Sequence, residues 1–402
     1  MSAASEKAAA GWPELVRGVP KGLERGLRNF WYLIIQSHEL PADRPVPVKC
    51  VDEELVVFRD AAGKAHVLRD RCPHRWVKLS AGRVLDGQLQ CAFHGLRFAG
   101  DGECSLVPWE QDGKAIPKEL CATAYPTHEI GGYVWAYIGE AKRFPPPPIE
   151  DAVPEELLYP DRFIHFSLPT DEWNANWLLV IDGSDSYHAV TLHVESQQHD
   201  AVLGYIDPAA AASYAGASAK RDIVPIADRR VRIVETEGHG LRGISVDREG
   251  KFLDHGHRLE PVKGERFNLP GLVTNALRPV PNAAAYVSRL FQVPIDYHRT
   301  RLFRWAAWRV ESEADRERYR NHFEKVVRPR QIRTALEDGQ MMAAAGGDLV
   351  ESWGNEFLLA PDRDVVRIRR RLAAAFLAQQ LEGRRTPAGD PTPNRASMVF
   401  PV

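Results

Sequence analysis

Residues 69–98 read RDRCPHRWVKLSAGRVLDGQLQCAFHGLRF and hold two short pairs of residues that bind metals in proteins. Cys72 is paired with His74, and after sixteen intervening residues Cys91 is paired with His94. Structural zinc sites prefer knuckles of two cysteines, often with a separate pair of histidines. In one kind of [2Fe-2S] cluster, two thiolates bind one iron and two imidazoles bind the other. The mixed pairs favour such a cluster, with a zinc-stabilised binding protein as the alternative.

The sequence around these pairs is typical of a small antiparallel β domain. Short apolar runs such as ELVVFRD and GYVWAYI alternate with turns that contain glycine or aspartate. Four consecutive prolines follow at 145–148, and proline can neither continue a helix nor donate to a β-ladder. The sequence therefore predicts an N-terminal helical lead-in (1–44) that packs on the last domain, a β domain that contains the Cys/His pairs (45–140), a proline-rich linker (141–148) and that last domain (149–402).

The region after the prolines mixes two kinds of pattern. Strand-like runs lie at 163–168, 229–235, 284–294 and 302–310, and helical patterns lie at 174–193, 312–345 and 361–381. Helices beside an antiparallel sheet form an α+β domain. We therefore predict an α+β protein, in which an all-β domain precedes a domain with an antiparallel sheet flanked by helices.

A second group of metal-binding residue types lies in NWLLVIDGSDSYHAVTLHVES, residues 176–196. It contains Asp182, Asp185, His188 and His193. The two histidines would lie about 140° apart on an ideal helix, so the helix must end or bulge between them, or His193 must follow it. Two histidines and one carboxylate form the open site of mononuclear non-haem Fe(II) oxygenases. The alternative is a solvated polar helix face with incidental histidines.

Together these motifs resemble the large (α) subunit of the Rieske non-haem iron oxygenases. The signature C-x-H-x15–17-C-x2-H-G of that family matches the first stretch from Cys72 to Gly95. The resemblance implies that Cys72 and Cys91 bind one iron of a Rieske [2Fe-2S] cluster, while His74 and His94 bind the other.

The family pattern N-W…(E/D)-N-x2-D-x2-H-x3–5-H matches the second stretch from Asn176 onward. The resemblance implies that His188 and His193 bind a mononuclear Fe(II), and that Asp185 links an iron histidine to a cluster histidine across a subunit contact. The sequence departs from the pattern where the Glu-Asn pair is shortened, which leaves Asp182 alone before Gly183.

The third iron ligand implied by the family is a carboxylate far along the chain. Asp338 is the predicted ligand because it falls where a helix of the family delivers this group, in KVVRPRQIRTALEDGQMMAAAGGDLVES (325–352). Glu337 and Asp348 are the alternatives in the same stretch.

Two further stretches, LPGLVTNALRPVPNAA (269–284) and LLAPDRDVVRIRRRLA (358–373), look most like the carbazole 1,9a-dioxygenase type of terminal oxygenase. That resemblance implies a homotrimer that receives electrons from a ferredoxin and/or an NAD(P)H-dependent reductase. It also implies O2 as a substrate. An alanine-rich segment at 208–219 and scattered aromatic residues suggest an apolar small-molecule ligand.

The predicted function is a terminal oxygenase that takes electrons through the cluster to the mononuclear iron. It would activate O2 and hydroxylate an apolar, aromatic or polycyclic small molecule, by ring dihydroxylation or monohydroxylation. One alternative is an oxidative N- or O-demethylase of the same family. Another is a Rieske-type electron carrier with an inactive second domain.

The composition is compatible with these expectations and excludes several other classes. The chain has 402 residues with a formal net charge of −2, which argues against a nucleic-acid binder. No apolar run approaches the roughly 20 residues that span a bilayer, and the N-terminus lacks the layout of a secretion signal. Five cysteines are too few for a disulfide framework. We therefore predict a cytoplasmic protein without a membrane or nucleic-acid partner.

Overall fold

The computed structural model describes most of the two domains but not every residue. The described residues are 18–109, 115–183, 188, 192–193, 230–236, 240–246, 258–259, 267–278, 285–345, 353, 355–359 and 362–382. Asp185, Asp348 and the alanine-rich segment 208–219 lie outside them. No helix in the part of the chain that the structure describes has the length and apolar content needed to cross a membrane.

The first half of the described chain is all β apart from short 3-10 turns. Within it, three antiparallel sheets have the strand orders β1-β11-β10, β2-β3-β4-β9 and β5-β6-β7-β8. The strands are β1 Phe30–Gln36, β2 Val46–Cys50, β3 Glu53–Arg59, β4 Ala65–Arg69, β5 Arg83–Leu85, β6 Gln88–Gln90, β7 Arg97–Phe98, β8 Cys104–Leu106, β9 Ala124–Tyr125, β10 Thr127–Ile130 and β11 Tyr133–Ile138.

The predicted helical lead-in is wrong for residues Phe30–Gln36, which form a strand. This strand pairs with β11, with Phe30 opposite Ile138, and all seven of its residues are buried. Its sequence, FWYLIIQ, is rich in aromatic and β-branched residues, which favour strands. A strand buried on both faces shows no alternation of polar and apolar residues, so its period does not distinguish it from a helix.

The second half contains an antiparallel sheet with helices beside it, which confirms the α+β fold class. Among the described residues this sheet has seven strands, in the order β12-β20-β19-β18-β16, with β13 on β20 and β17 on β18. A separate hairpin joins β14 to β15. The strands are β12 Phe163–Ser167, β13 Asp171–Trp173, β14 Arg230–Thr236, β15 Gly240–Val246, β16 Arg258–Leu259, β17 Phe267–Asn268, β18 Leu272–Arg278, β19 Tyr286–Pro294 and β20 Thr300–Arg309.

The helices of the described chain are α1 Glu155–Leu158, α2 Trp177–Asp182, α3 Glu313–His322, α4 Arg328–Ala344 and α5 Arg363–Leu377. A π-helical segment, Phe323–Val327, joins α3 to α4, so the predicted helical region 312–345 is nearly continuous. A second π-helical segment, Ala378–Glu382, follows α5.

One hydrophobic cluster of the described residues spans both domains, and β19 contributes Val287, Phe291 and Val293 to it. The rings of Tyr32 and Trp135 pack edge-on against Phe291, with centroids 6.3 and 5.8 Å away. A backbone hydrogen bond of 2.7 Å from Val51 N to Pro294 O joins the domains at one end of that strand. The first domain is therefore held against the end of β19, which is an interior strand of the second domain's sheet.

A buried ion pair ties α1 to this sheet. Arg289 Nε lies 2.8 Å from Glu156 Oε1, and neither side chain is exposed. Thr274 Oγ1 accepts a hydrogen bond from Arg289, and Trp305 donates one to Glu156, so the charged groups are fully surrounded by partners. A buried charge needs such partners because its desolvation is costly.

Candidate metal centres

The two Cys/His pairs lie in two loops of the first domain that have the same backbone pattern. In the loop after β4, Cys72 N donates to Val77 O over 2.8 Å. In the loop between β6 and β7, Cys91 N donates to Leu96 O over the same distance of 2.8 Å. Each loop therefore curls around its cysteine in the same way, and each loop carries one histidine.

A left-handed residue closes each loop. Gly95 N donates to Cys91 O over 3.1 Å, and Trp76 N donates to Cys72 O over 2.8 Å. Both residues have positive φ, 76° for Gly95 and 60° for Trp76. Glycine adopts this conformation freely, whereas for other residues it costs about 1–2 kcal/mol. The backbone of the first loop is therefore strained at Trp76, whereas the backbone of the second loop is not strained at Gly95.

The four side chains sort into a pair of thiols and a pair of imidazoles. Cys72 and Cys91 are each 2% exposed, and burial, together with the neighbouring Cys91 thiol, raises the pKa of the Cys72 thiol to about 11. The rings of His74 and His94 lie 4.7 Å apart, centroid to centroid. In the described chain, His74 Nδ1 is a buried nitrogen without a hydrogen-bond partner. Paired thiols, paired imidazoles and an unpartnered ring nitrogen fit a [2Fe-2S] cluster of mixed ligation.

Exposed aromatic side chains surround the histidines of this site. The Trp109 ring lies 5.4 Å from the His74 ring and 5.6 Å from the His94 ring. The Phe93 ring lies 3.8 Å from the His94 ring, and Phe93 is 59% exposed. The imidazole side of the site therefore faces the protein surface, while the thiol side is buried. Trp109 comes from a third loop that the sequence motif does not contain, and its role could not be read from the Cys/His spacing.

The structure brings three of the predicted residues of the second site together. His188 Nε2 lies 3.4 Å and His193 Nε2 lies 3.1 Å from the same oxygen, Asp338 Oδ1. One ligand atom from each residue lies within 4.8 Å of the other two. Burial raises the pKa of the Asp338 carboxyl, but hydrogen bonds from His188 and His193 lower it by more, so it stays below its usual range. This donor set fits a 2-His-1-carboxylate iron site.

The backbone accounts for the meeting of the two histidines. Helix α2 ends at Asp182, before either of them. Leu192 N donates to His188 O over 2.8 Å, which closes one helical turn, and His193 follows that turn. The rings then lie 5.2 Å apart, centroid to centroid, and nearly perpendicular at 76°. Neither histidine lies on α2.

Helix α4 carries Asp338 and packs against the end of α2. A Cβ on Gly183, the residue after α2, would lie 3.0 Å from Met342 Cε. Met342 follows Asp338 by one helical turn, so the two side chains share a face of α4. On Gly339, the residue after Asp338, a Cβ would lie 3.0 Å from Trp173 Nε1. Two glycines thus permit the close approach that sets α4 beside the histidine segment.

Asn176 fixes the start of α2, and we expect its replacement by alanine to lower stability. Its side chain accepts from Leu178 N at 3.0 Å and donates to Glu24 O at 3.0 Å and Tyr297 O at 2.6 Å. Asn176→Ala removes a helix cap and the hydrogen bond to the buried carbonyl of Glu24, at a cost of about 2 kcal/mol.

The measurement is the thermal midpoint of unfolding, with Ser312→Ala as the matched control. Ser312 caps the exposed start of α3 by accepting from Asp315 N. Loss of this cap should lower the free energy of unfolding by no more than about 1 kcal/mol. Equal midpoints for the two variants would contradict the structural role of Asn176.

Asp182, which departs from the family pattern, is bound to the C-terminal helix. Arg369 Nε lies 3.1 Å from Asp182 Oδ1, and Trp353 Nε1 donates to Asp182 Oδ2 over 3.0 Å. Glu356 also contacts the Arg369 guanidinium, with an Nη2–Oε2 distance of 3.1 Å. Burial raises the pKa of the Asp182 carboxyl to about 6. The sequence offers no local signal for this network, because its partners are far apart along the chain.

The alternatives for the third ligand have different outcomes. The Glu337 carboxylate is not one of the three ligand groups that come together. It lies 2.8 Å from Nδ1 of His193, the ring nitrogen that faces away from Asp338. Asp348 is not among the described residues, and neither is Asp185, the predicted link between the two sites.

Two family models match the chain in order. The Rieske [2Fe-2S] domain matches residues 30–122, and the homotrimeric ring hydroxylase family matches residues 137–380. The first match includes β1, in agreement with its pairing to β11. The second match covers more than half of the chain.

Individual relatives agree with these matches. The chain is 30% identical to the phthalate 4,5-dioxygenase oxygenase subunit of Pseudomonas putida, over 70% of this chain and 60% of that protein. It spans between 21% and 60% of the length of the leading curated relatives it matches.

Solved structures share the fold over nearly the whole chain. The terminal oxygenase of carbazole 1,9a-dioxygenase from Nocardioides aromaticivorans has a TM-score of 0.63 at 19% identity, covering 91% of this chain and 97% of that one. The reduced complex between oxygenase and ferredoxin in carbazole 1,9a-dioxygenase has a TM-score of 0.60 at 20% identity, covering 94% and 97%. At this identity the likeness concerns the fold alone. From the two family matches, the chain belongs to the homotrimeric ring hydroxylases, as a Rieske oxygenase with a [2Fe-2S] cluster and a mononuclear iron centre.

Proposed function

We propose that this protein is a terminal oxygenase component that hydroxylates an apolar small molecule, aromatic or polycyclic. The observation that carries the proposal is the convergence of two histidine nitrogens on one carboxylate oxygen, at 3.4 and 3.1 Å. A site with three protein ligands on one side leaves coordination positions open on the other, where O2 and a substrate can meet.

The proposed residue roles follow from the two donor sets. The cluster ligands are Cys72 and Cys91 for one iron and His74 and His94 for the other, and the ligands of the mononuclear iron are His188, His193 and Asp338. When bound, the cluster supplies single electrons and the mononuclear iron supplies the activation of O2. Asp185 is proposed as the link between them, and it lies outside the described residues.

The burial of the three ligands indicates the side from which substrate arrives. The side chain of His193 is only 4% exposed, whereas those of His188 and Asp338 are 28% and 26% exposed. We therefore propose that substrate arrives on the side of His188 and Asp338, which are the less buried ligands. An apolar substrate on that side would displace water from the ligands.

The domain division is part of the same proposal. We assign residues 45–140 to cluster binding and 149–402 to catalysis, with 141–148 as the linker. Strand β1 belongs with the first domain because it pairs with β11. The remaining residues before 45 form the lead-in.

We propose a homotrimer that accepts electrons from a ferredoxin and/or an NAD(P)H-dependent reductase. The family description supports the trimer, and the similar fold of an oxygenase solved with ferredoxin supports the donor. The exposed aromatic rings near His74 and His94 are consistent with a donor protein that approaches the imidazole side of the cluster site.

The test is a combined measurement of iron content and products. We expect about three irons per chain, two in the cluster and one at the mononuclear site. Aromatic and polycyclic compounds are then supplied with a surrogate ferredoxin, a reductase, NADH and O2, and products are read by mass.

A gain of two oxygens identifies dihydroxylation, and a gain of one identifies monohydroxylation. Loss of a methyl group from N- or O-methylated compounds would overturn the proposed reaction in favour of demethylation. Two irons per chain together with no oxygenated product would instead indicate an electron carrier.

A further inference from the structure

Glu337 lies beside the proposed iron site without contributing a ligand atom to it. It is adjacent to Asp338 on α4, yet the two carboxylates contact opposite nitrogens of the same ring. Asp338 Oδ1 lies 3.1 Å from His193 Nε2, and Glu337 Oε2 lies 2.8 Å from His193 Nδ1. The imidazole is therefore held between two consecutive acids of one helix.

This contact has a direct consequence for the ring. A neutral imidazole carries one N–H, and its position is set by the acceptor that it meets. A carboxylate at Nδ1 accepts that hydrogen bond, so that when a metal is bound the lone pair of Nε2 is available to it in place of the contact with Asp338 Oδ1. Because the His193 side chain is only 4% exposed, water has little access to replace Glu337 as the acceptor.

Glu337 is itself held in place. Arg333 stands one turn earlier on α4, and its Nε lies 3.6 Å from Glu337 Oε1. One carboxylate oxygen thus faces the arginine while the other faces His193. The side chain of Glu337 is 19% exposed, compared with 54% for Arg333, so Glu337 is the more buried member of the pair.

We propose that Glu337 is the positioning residue of the mononuclear site: it fixes the tautomer and the ring orientation of His193 by accepting a hydrogen bond from Nδ1. This role rests on the proposed function, because it assigns His193 Nε2 to the iron. Groups that hold a metal-binding histidine in this way typically contribute 10–100-fold to metal affinity or activity.

The test compares Glu337→Ala with Glu337→Gln and measures the binding of Co(II) to metal-depleted mononuclear sites in protein that retains its cluster. The alanine variant has no acceptor, so we expect Co(II) affinity to fall by about 10–100-fold. The glutamine variant keeps a carbonyl oxygen that can accept from Nδ1, so its loss should be about tenfold or less. The Co(II) absorption bands should match wild type in the glutamine variant and shift in the alanine variant.

The matched control is Glu324→Ala. Glu324 pairs with Arg328 at 2.8 Å and a spacing of four residues, as Glu337 does with Arg333, but this pair is exposed on the adjoining π-helical segment. We expect this variant to bind Co(II) with wild-type affinity. The visible absorption of the cluster serves as the folding control for all variants.

Specific results would overturn the role of Glu337. Wild-type affinity in Glu337→Ala would exclude it, and equal losses in the alanine and glutamine variants would exclude orientation by an acceptor. If the alanine variant does not fold, a hundredfold loss in the glutamine variant alone would have the same meaning. If the wild type and Glu337→Ala bind Co(II) equally well, the role of Glu337 fails but the proposed function stands. If the wild type binds no metal beyond the cluster, the proposed function itself fails.

Discussion

Replacement of His188 or Asp338 by alanine should abolish product formation while the visible spectrum of the cluster remains unchanged. Each variant removes one of three atoms that meet within 4.8 Å. A catalytic metal contributes several kcal/mol to the stabilisation of developing charge. Its loss therefore corresponds to a fall of about a thousandfold or more in turnover. Iron content should drop from about three to about two per chain, because the cluster keeps its own ligands.

Two controls separate this result from general damage. His298 is an exposed histidine on the turn between β19 and β20, and His298→Ala should keep all three irons and turnover. Cys91→Ala should lose the cluster spectrum but keep the mononuclear iron, and product formation should be lost because the cluster no longer supplies electrons. Product formation that survives in His188→Ala, with the iron count unchanged, would show that the chemistry is elsewhere.

The cluster loops could be predicted from the sequence because their information is local. The spacing from Cys72 to His94 fixes which residues close each turn, and the two loops indeed share one backbone pattern. The arrangement of the two histidines could also be predicted, because helix geometry does not allow both to bind one ion from an undistorted helix. Asp338 could be chosen only by resemblance, because an acid on a charged helix is more often solvated.

Long-range contacts account for what the sequence did not show. Strand β1 was predicted as helical because a strand buried on both faces has no alternation to detect. Glu337 was considered only as a ligand, and its contact with His193 depends on how α4 is rotated. Asp182 was visible as a departure from the family pattern, but its partner Arg369 lies 187 residues later.

The second large effect is expected from Arg369→Met, which breaks the network at Asp182. Arg369 is 3% exposed and lies within hydrogen-bond distance of both Asp182 and Glu356, and its Cζ lies 4.4 Å from the centre of the Trp353 ring. Methionine fills a similar volume but carries no charge. Removing one partner of a buried ion pair typically costs about 3–5 kcal/mol, because the remaining charge is left uncompensated.

The loss should appear as a lower thermal midpoint for the catalytic domain, by about 5–10 °C. Arg367→Met is the matched control on the same helix. Its side chain is 64% exposed, and it lies 4.0 Å from Asp364. Exposed pairs of this kind contribute about 0–1 kcal/mol. Arg369→Lys should fall between the two, because an ammonium group cannot bind two carboxylates with the geometry of a guanidinium.

The same variant tests whether the network also supports the metal site. Asp182 is the last residue of α2, and the chain continues from it to His188. Loss of its anchor should let the histidine segment move relative to Asp338, so Co(II) affinity should fall in Arg369→Met but not in Arg367→Met. In the double variant with Asp182→Asn the uncompensated charge of Asp182 is gone, so part of the lost stability should return. A double variant as unstable as the sum of the single ones would show that Asp182 and Arg369 act independently, contrary to the contact between them.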